Sequence, residues 1–435
     1  MKNRQAQGHP PVSGATNPPA TRAEQRPGAD NASGRAGAGT RAARRGRRAA
    51  TRAAVVALLA GAVLGPVAAL PASAAATPVH ATTSPSAPLL PDAERRGGPD
   101  LDALRAALTS LPDPDVSAAV IRVGGEVRWR GTAGVRDLRT GAPALENARF
   151  RAGSTTKVVT STLVLRLAAE GRIDLGAPVT RYLPGLLPPS FTTPPTVRQL
   201  LNFTSGLQPG TDLGNTPEEM YANRFRTLTP ERVVATAVAK GPAAPPGTRQ
   251  VYQNIDYTVL GLLIEKVTGD DYAHQAEVRL FRPLGMRHSG FPAPGDPRIH
   301  GPHHRAYGDV GGRTVDVTEW NMTDRKAAGD LISTTADLER LMTALFSGRV
   351  LPPAQLRELF TVPDVPGASY GAGLQRLVVD GTEIWGKTGS RPGFHTVLAA
   401  TRDLSRTVVY SVNAKSARDD GFALVQRFAL PAFAD

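Results

Sequence analysis

The sequence predicts an α+β fold in which one antiparallel β-sheet, flanked by helices, is built from both chain ends around an inserted, mostly helical domain. Two strand-like patterns at 116–123 and 127–135, separated by Gly124 and Gly125, are typical of a β-hairpin. Strand patterns return near the carboxyl end, at 374–379, 382–385, 395–401 and 407–413. The segment between them, 192–361, is predicted to be mostly helical with proline- and glycine-rich loops. This order favours a single sheet assembled from the two ends of the chain.

Helices are predicted around this sheet from apolar residues spaced three and four apart. Leucines at this spacing predict a first helix over 101–111, and an apolar side predicts a second over 154–170 that Gly171 ends. A further helix begins near Asp256, and a closing helix is predicted over 417–428.

The positive charge of the chain is concentrated at its start. The first 52 residues hold eleven of the 51 basic residues and two of the 38 acidic ones. The rest therefore holds 40 basic and 36 acidic residues, which is close to balance. A nucleic-acid partner is not expected, because the high isoelectric point comes mainly from this arm.

The basic arm precedes an apolar run at 53–70 and a small-residue cleavage pattern at 74–76. This order predicts a secretory signal over 1–76, with only transient membrane contact and a secreted or cell-wall-associated product. The run is nearly long enough for an uncleaved anchor, but its Gly61, Gly65 and Pro66 favour cleavage. Arginine pairs in the arm leave twin-arginine export open. We interpret 77–98, rich in Pro, Ser and Ala, as a linker and 99–435 as the functional domain.

The first motif with catalytic potential is Ser-Thr-Thr-Lys at 154–157. Residues three apart share a helix face, so the Lys157 amine can reach the Ser154 hydroxyl. A serine needs a neighbouring base to act as a nucleophile, and a buried lysine can supply one because burial lowers its pKa. The chain has no cysteine, which excludes disulfides, a thiol nucleophile and cysteine metal sites.

Two further motifs follow. In Tyr-Gln-Asn at 252–254, we expect two nearby lysines to lower the pKa of Tyr252 toward general-base work, and Asn254 to hold Lys157 and bind a substrate carbonyl. In Lys-Thr-Gly-Ser at 387–390, Lys387 supplies positive charge and Thr388 a hydroxyl. There Gly389 would let a substrate backbone lie along the strand, and the Ser390 N–H would donate to an oxyanion.

These three motifs, in this order, resemble those of the β-lactamase and penicillin-binding serine hydrolase family. The Tyr-x-Asn form is similar to class C β-lactamases and secreted D-alanyl-D-alanine carboxypeptidases. Stretches at 200–207, 260–269 and 327–334 are also similar to the family. The resemblance implies that Ser154 is acylated, that Lys157 and Tyr252 move protons, and that Asn254, Lys387, Thr388, Gly389 and Ser390 bind substrate. A cationic reader of a terminal carboxylate is also expected, with Arg376 and Arg391 as candidates.

The expected function is that of a D-alanyl-D-alanine carboxypeptidase that acts on peptidoglycan stem peptides and is acylated by β-lactams. Two alternatives remain open: a class C-like β-lactamase or small-ester hydrolase, and a penicillin-binding module without efficient turnover. We expect a monomer that requires no metal and no other cofactor.

Two other patterns compete with this interpretation. Residues 367–371 match G-x-S-x-G, but prolines precede Ser369 and a strand follows it, whereas a nucleophile elbow needs a strand before and a helix after. His300, His303 and His304 lie in a Gly/Pro-rich loop, which favours a solvated loop over a metal site. His395 is predicted to be a strand residue.

Overall fold

The computed structural model describes residues 98–415 and 421–434. Its strands are, in chain order, β1 (Val116–Gly125), β2 (Trp129–Asp137), β3 (Ala142–Pro143), β4 (Phe150–Arg151), β5 (Tyr307–Val310), β6 (Arg313–Asp316), β7 (Ile332–Ser333), β8 (Gln375–Val379), β9 (Thr382–Arg391), β10 (Phe394–Thr401) and β11 (Arg406–Ala414). Seven of them form one sheet in the order β3-β2-β1-β11-β10-β9-β8, with antiparallel pairing throughout. The predicted fold class is therefore confirmed.

The helices surround and interrupt this sheet. They are α1 (Leu101–Thr109), α2 (Thr156–Ala169), α3 (Val197–Leu201), α4 (Pro217–Ala222), α5 (Pro230–Val238), α6 (Ile255–Thr268), α7 (Tyr272–Ala276), α8 (Arg282–Leu284), α9 (Thr335–Phe346), α10 (Pro353–Leu359) and α11 (Gly421–Phe428). A π-helical turn (Glu277–Phe281) joins α7 to α8, and short 3-10 turns occur at Gly153–Thr155, Val179–Arg181, Thr323–Arg325 and Leu430–Phe433. No described helix is long and apolar enough to cross a membrane.

The two faces of the sheet carry separate cores because alternate residues of a strand point to opposite faces. On β10, Leu398 packs into the larger core together with α2 and α6. Its neighbour Val397 packs into a smaller core with α1 and α11. The helical insert thus covers one face, and the helices near the two chain ends cover the other.

The first and last strands of the chain, β1 and β11, pair with each other in the middle of the sheet. Ile121 of β1 lies opposite Tyr410 of β11, and both residues are buried. The Asp100 N–H, at the start of α1, also donates to the Pro431 carbonyl at 2.8 Å. The two ends of the described domain therefore meet.

The length of strand β9 creates the site. The strand predicted at 382–385 and the strand-like third motif at 387–390 form one continuous strand, β9, which runs to Arg391. Its partner β8 pairs only with residues 382–386, so residues 387–391 have a free edge. That edge lies against the turn containing Ser154, which explains why the third motif stays strand-like without a second partner.

Other predictions have mixed outcomes. The insert contains the small two-stranded sheet β5–β6, and its strand β7 pairs with β4, which precedes the insert; helical periodicity indicated neither sheet. Helix α2 is buried on nearly all sides rather than along one face. The arm and signal over 1–76, the linker except Gly98 and the predicted start of the closing helix lie outside the described residues.

Candidate active site

The nucleophile candidate Ser154 lies in the 3-10 turn that leads into α2. Lys157 is the second residue of that helix, so the predicted spacing of three brings the two side chains to one face. Lys157 Nζ lies 3.2 Å from Ser154 Oγ, within hydrogen-bond distance. Ser154 is partly exposed and can be reached from solvent, whereas Lys157 is fully buried.

The Lys157 amine is held by two further acceptors. Its Nζ donates at 2.7 Å to Asn254 Oδ1 and at 2.7 Å to the Ala328 carbonyl. Burial lowers the pKa of Lys157 well below its ordinary value, and the positive charges of Lys387 and Arg325 lower it further. A neutral lysine amine beside a serine hydroxyl can accept its proton.

Tyr252 lies between the two motif lysines, with Lys157 Nζ 4.9 Å and Lys387 Nζ 4.7 Å from its ring centroid. Its hydroxyl is buried and has no hydrogen-bond partner of normal geometry within residues 98–415 and 421–434. Burial raises the pKa of Tyr252 far above its usual value, while the nearby Ser154 hydroxyl and Arg325 lower it only partly.

The expectation that lysines would make Tyr252 a base is therefore wrong. Burial disfavours the phenolate, and it also disfavours the ammonium forms of the two lysines that were expected to stabilise it. The phenol stays protonated near neutral pH and can serve as a proton donor.

Lys387 is the second buried lysine of the site. Burial lowers its pKa to about 7, and its Nζ donates to the Thr388 carbonyl at 2.9 Å. Strand alternation places the side chains of Thr388, which is buried, and Ser390, which is exposed, on the opposite face of β9.

The glycine of the third motif has a different role from the expected one. A Cβ at Gly389 would lie 2.0 Å from the Ala152 carbonyl oxygen, and a Cβ at Gly153 would lie 2.5 Å from the Ser390 nitrogen. Gly389 is thus needed for close contact between β9 and the nucleophile turn rather than for a substrate backbone. The contact brings the backbone N–H groups of Ser154 and Ser390 together, as an oxyanion hole requires.

The two arginines proposed as a carboxylate reader differ in their surroundings. Arg391 is buried and makes a bidentate ion pair with Asp324, with distances of 2.9 and 3.1 Å. Arg376 is half-exposed on β8, and its Nε lies 4.0 Å from Glu383. The prediction for Arg391 was wrong because its acidic partner comes from a segment that the motifs do not include, and Arg376 stays a candidate.

Several residues of the site were missed by sequence reasoning. The ring of Tyr252 packs against Phe203, at 4.8 Å between centroids, and against Tyr370, at 5.4 Å. Tyr370 lies inside the G-x-S-x-G match, which forms a loop between α10 and β8 rather than a strand-to-helix turn. Arg325, which is ion-paired with Asp212, contributes positive charge to the site, and no pattern singled it out.

The histidines considered in the sequence analysis make hydrogen bonds or ion pairs with residues outside the three motifs. His300 pairs with Asp296 at 2.7 Å, and His304 is buried against Asn413. Among the described residues, no three metal-ligating side chains form a cluster. His395 bonds to Tyr410 on the other face of the sheet, and burial lowers its pKa to about 4.

A serine hydroxyl within hydrogen-bond distance of a buried lysine whose pKa is lowered is the arrangement found in serine hydrolases. The Beta-lactamase family model matches residues 104–429. This chain belongs to the Beta-lactamase family.

Similar proteins include enzymes with different substrates. A D-stereospecific amidohydrolase from Streptomyces sp. is 33% identical, with a TM-score of 0.66 over 76% of this chain and 98% of that one. A putative penicillin-binding protein, PbpX, from Bacillus subtilis (strain 168) is 27% identical over 269 residues, 60% of each protein. Esterase EstB from Burkholderia gladioli is 31% identical over 198 residues, 43% of this chain and 50% of the esterase. The chain thus spans half to three fifths of the length of these two curated relatives.

Proposed function

We propose that this chain is an exported serine hydrolase that forms an acyl-enzyme at Ser154 and cleaves the bond after a D-amino acid residue. Peptidoglycan stem peptides ending in D-alanyl-D-alanine are the proposed substrates, and β-lactams would acylate the same serine. The observation that carries the proposal is the 3.2 Å contact between Ser154 Oγ and the buried amine of Lys157. Similarity to a penicillin-binding protein and to a D-stereospecific amidohydrolase supports the substrate class.

Acylation begins at Ser154. As Oγ bonds to the substrate carbonyl carbon, its proton passes to the neutral amine of Lys157, and the carbonyl π electrons move onto oxygen. The oxyanion accepts hydrogen bonds from the backbone N–H groups of Ser154 and Ser390. Removing one such donor typically costs about a hundredfold to a thousandfold in rate.

Collapse of this intermediate breaks the carbon–nitrogen bond. The leaving amine needs a proton, and the protonated Tyr252 hydroxyl can donate one and regain it from the Lys157 ammonium. The products are an ester at Ser154 and a free amine. A water molecule then attacks the ester, with Lys157 again accepting a proton, and releases the acid and the free serine.

A second function is favoured by the pairing of Arg391. Because Arg391 is bound to Asp324 in a buried ion pair, it is not free to bind a terminal carboxylate. Substrates without that carboxylate, such as D-amino acid amides or small esters, would lose nothing at this position. Similarity to an esterase and an amidohydrolase supports this alternative.

The test compares turnover of five compounds by the purified protein: a D-alanyl-D-alanine peptide, its L-configured isomer, a D-alanine amide, a nitrophenyl ester and a chromogenic cephalosporin. The proposal predicts the highest specificity constant for the D-alanyl-D-alanine peptide. Faster turnover of the amide and ester would favour the second function. Stable labelling by a fluorescent penicillin without turnover would instead identify a binding module.

Two variants check the nucleophile. Ser154→Ala should abolish turnover and labelling, and full activity in this variant would eliminate the mechanism. Ser369→Ala, the serine of the G-x-S-x-G loop, is the matched control and should keep wild-type rates.

A further inference from the structure

An ion pair near the nucleophile is not used by the steps above. Arg325, at the end of the 3-10 turn over Thr323–Arg325, donates through its Nη2 to Oδ2 of Asp212, in the loop between α3 and α4. The side chain of Asp212 is 33% exposed and that of Arg325 is 18% exposed. Lys157 and Lys387 are both buried, so a substrate can reach this ion pair more easily than either motif lysine.

Backbone contacts place the ion pair next to the nucleophile turn. The Arg325 carbonyl accepts the Ala328 N–H at 2.9 Å, and the Ala328 carbonyl in turn accepts the hydrogen bond from Lys157. A Cβ built on Gly329 would lie 3.3 Å from Arg325 Cβ and 3.8 Å from the carbonyl carbon of Gly153. One glycine therefore separates the stem of the arginine from the turn that carries the nucleophile.

The ion pair lies on the acyl side of the bond that would be cleaved. Tyr252, the proposed proton donor to the leaving amine, lies against Lys387, at the start of the free edge of β9. The leaving group is therefore directed toward Lys387, and the acyl part of the substrate is directed toward Arg391 at the other end. Arg391 binds Asp324, whose Oδ2 lies 3.4 Å from Arg325 Nη1.

Of the two side chains, Asp212 is the one with capacity for a ligand. Arg325 is shared between two acidic residues, because its Nη1 also donates to the Asp324 carbonyl at 3.1 Å. The Asp212 carboxylate accepts from Arg325 and from the Leu213 N–H at 2.7 Å, and a carboxylate has about four acceptor sites. Burial raises the pKa of Asp212, but Arg325 and the Leu213 N–H lower it by more, so Asp212 is ionised near neutral pH.

The sign of the exposed charge selects the kind of ligand. Asp212, Arg325, Asp324 and Arg391 form a series of alternating sign that contains as many negative as positive side chains. The outer end of this series is the Asp212 carboxylate, and its inner end is the buried Arg391. A substrate cation would meet the carboxylate first, whereas a substrate anion would have to displace Asp212 from Arg325.

We propose that Asp212 determines substrate specificity by binding a primary ammonium group on the acyl side of the substrate. Two classes of substrate carry such a group. In a D-amino acid amide it is the α-ammonium of the acyl residue, and in a stem peptide it is the side-chain ammonium of a lysine-type residue that precedes D-alanyl-D-alanine. This specificity rests on the proposed acylation of Ser154.

The experiment measures specificity constants near neutral pH for two pairs of substrates that differ only in the ammonium group. The first pair is D-alanine nitroanilide and D-lactic acid nitroanilide, and the second is N-acetyl-lysyl-D-alanyl-D-alanine and its norleucine analogue. The wild type should favour the ammonium form of at least one pair by about tenfold to a hundredfold, because hydrogen bonds between charged groups contribute this much. The pair that shows the preference identifies the source of the ammonium.

The test variant is Asp212→Asn, which keeps the size of the side chain and an acceptor for Arg325 but removes the charge. The preference should disappear, while turnover of the neutral analogues stays close to that of the wild type. Asp113→Asn is the matched control. Asp113 also pairs with an arginine, Arg427 at 2.7 Å, and accepts the Val116 N–H at 2.7 Å, but it lies beside α11 on the other face of the sheet. The control should keep the wild-type preference.

The ratio within a pair separates substrate binding from a structural role, because a packing defect lowers turnover of both members equally. Loss of the preference in Asp212→Asn alone would support the site. Equal turnover within both pairs by the wild type would overturn it, as would a preference that survives in Asp212→Asn.

Two further outcomes are decisive. If Asp212→Asn does not fold, Asp212→Glu replaces it, since this variant keeps the charge but displaces it by one methylene; a reduced preference would support the site and an unchanged one would overturn it. Failure of the wild type to cleave any of the four compounds would instead overturn the proposed function.

Discussion

Replacing Tyr252 by phenylalanine should lower catalytic activity without lowering the stability of the fold. The substitution removes only the hydroxyl, and the ring keeps its contacts with Phe203 and Tyr370 and its position between the two lysines. In most proteins, deleting a buried tyrosine hydroxyl breaks a hydrogen bond and weakens the fold. Here the hydroxyl has no such partner among the described residues.

The expected gain in stability follows from desolvation. A buried polar group without a partner costs about 1–3 kcal/mol. Tyr252→Phe should therefore raise the free energy of unfolding by about 1 kcal/mol, at the lower end of this range because the ring is partly exposed. Urea denaturation of wild type and variant at neutral pH would measure it.

The expected loss of activity depends on the leaving group. An amine must be protonated as it departs, and loss of a positioned proton donor costs about a hundredfold to ten-thousandfold. A nitrophenolate departs without a proton, so hydrolysis of a nitrophenyl ester should fall less than about tenfold.

The assay compares the acylation rates of a D-configured peptide amide and a nitrophenyl ester in both proteins. We expect a selective loss of amide cleavage in a protein at least as stable as the wild type. Equal losses for amide and ester would remove Tyr252 as the proton donor. A destabilised variant would show that the hydroxyl has a partner in solution.

Three further predictions concern β9 and its surroundings. Gly389→Ala should slow acylation at least a hundredfold in a fluorescent-penicillin time course, because the new Cβ would lie 2.0 Å from the Ala152 carbonyl oxygen and separate the oxyanion donors; a wild-type rate would refute the contact. Arg391→Ala should lower the free energy of unfolding by about 3 kcal/mol, since the buried Asp324 loses its bidentate partner and keeps only Arg325, at 3.4 Å; urea midpoints would show this, and an unchanged midpoint would contradict it. The pKa of Lys387 is about 7 in the folded protein and near 10.5 in the unfolded chain. Between these pH values the unfolded chain binds more protons, so the free energy of unfolding rises with pH. Lys387→Met should reduce this rise when unfolding is measured at both ends of the pH window, and an identical rise would argue against the buried lysine.

Sequence reasoning succeeded where the determining interactions are local. The spacing of Ser154 and Lys157 fixes their contact because one helical turn separates them. The sheet could be predicted from the strand patterns near both chain ends, and the three motifs meet as the family resemblance implied.

Sequence reasoning failed where burial, or a partner distant in sequence, determines the pKa or the pairing of a side chain. The direction of the Tyr252 pKa shift depends on how much solvent the folded chain removes, which a tripeptide does not encode. Arg391 was taken for a substrate ligand because Asp324, 67 positions away, gives no sign in sequence that it will pair with it.

The meeting of Asp100 with Pro431 has a practical consequence for protein engineering. Since the domain ends are within one hydrogen bond of each other, a short linker could join them in a circular permutant. New termini could open at Gly311 and Gly312, the exposed turn between β5 and β6, which lies outside the three motifs. The new termini would be distant in sequence from Ser154, Lys157, Tyr252 and Lys387. Activity of the permuted chain would show that the site forms without the natural order of the segments.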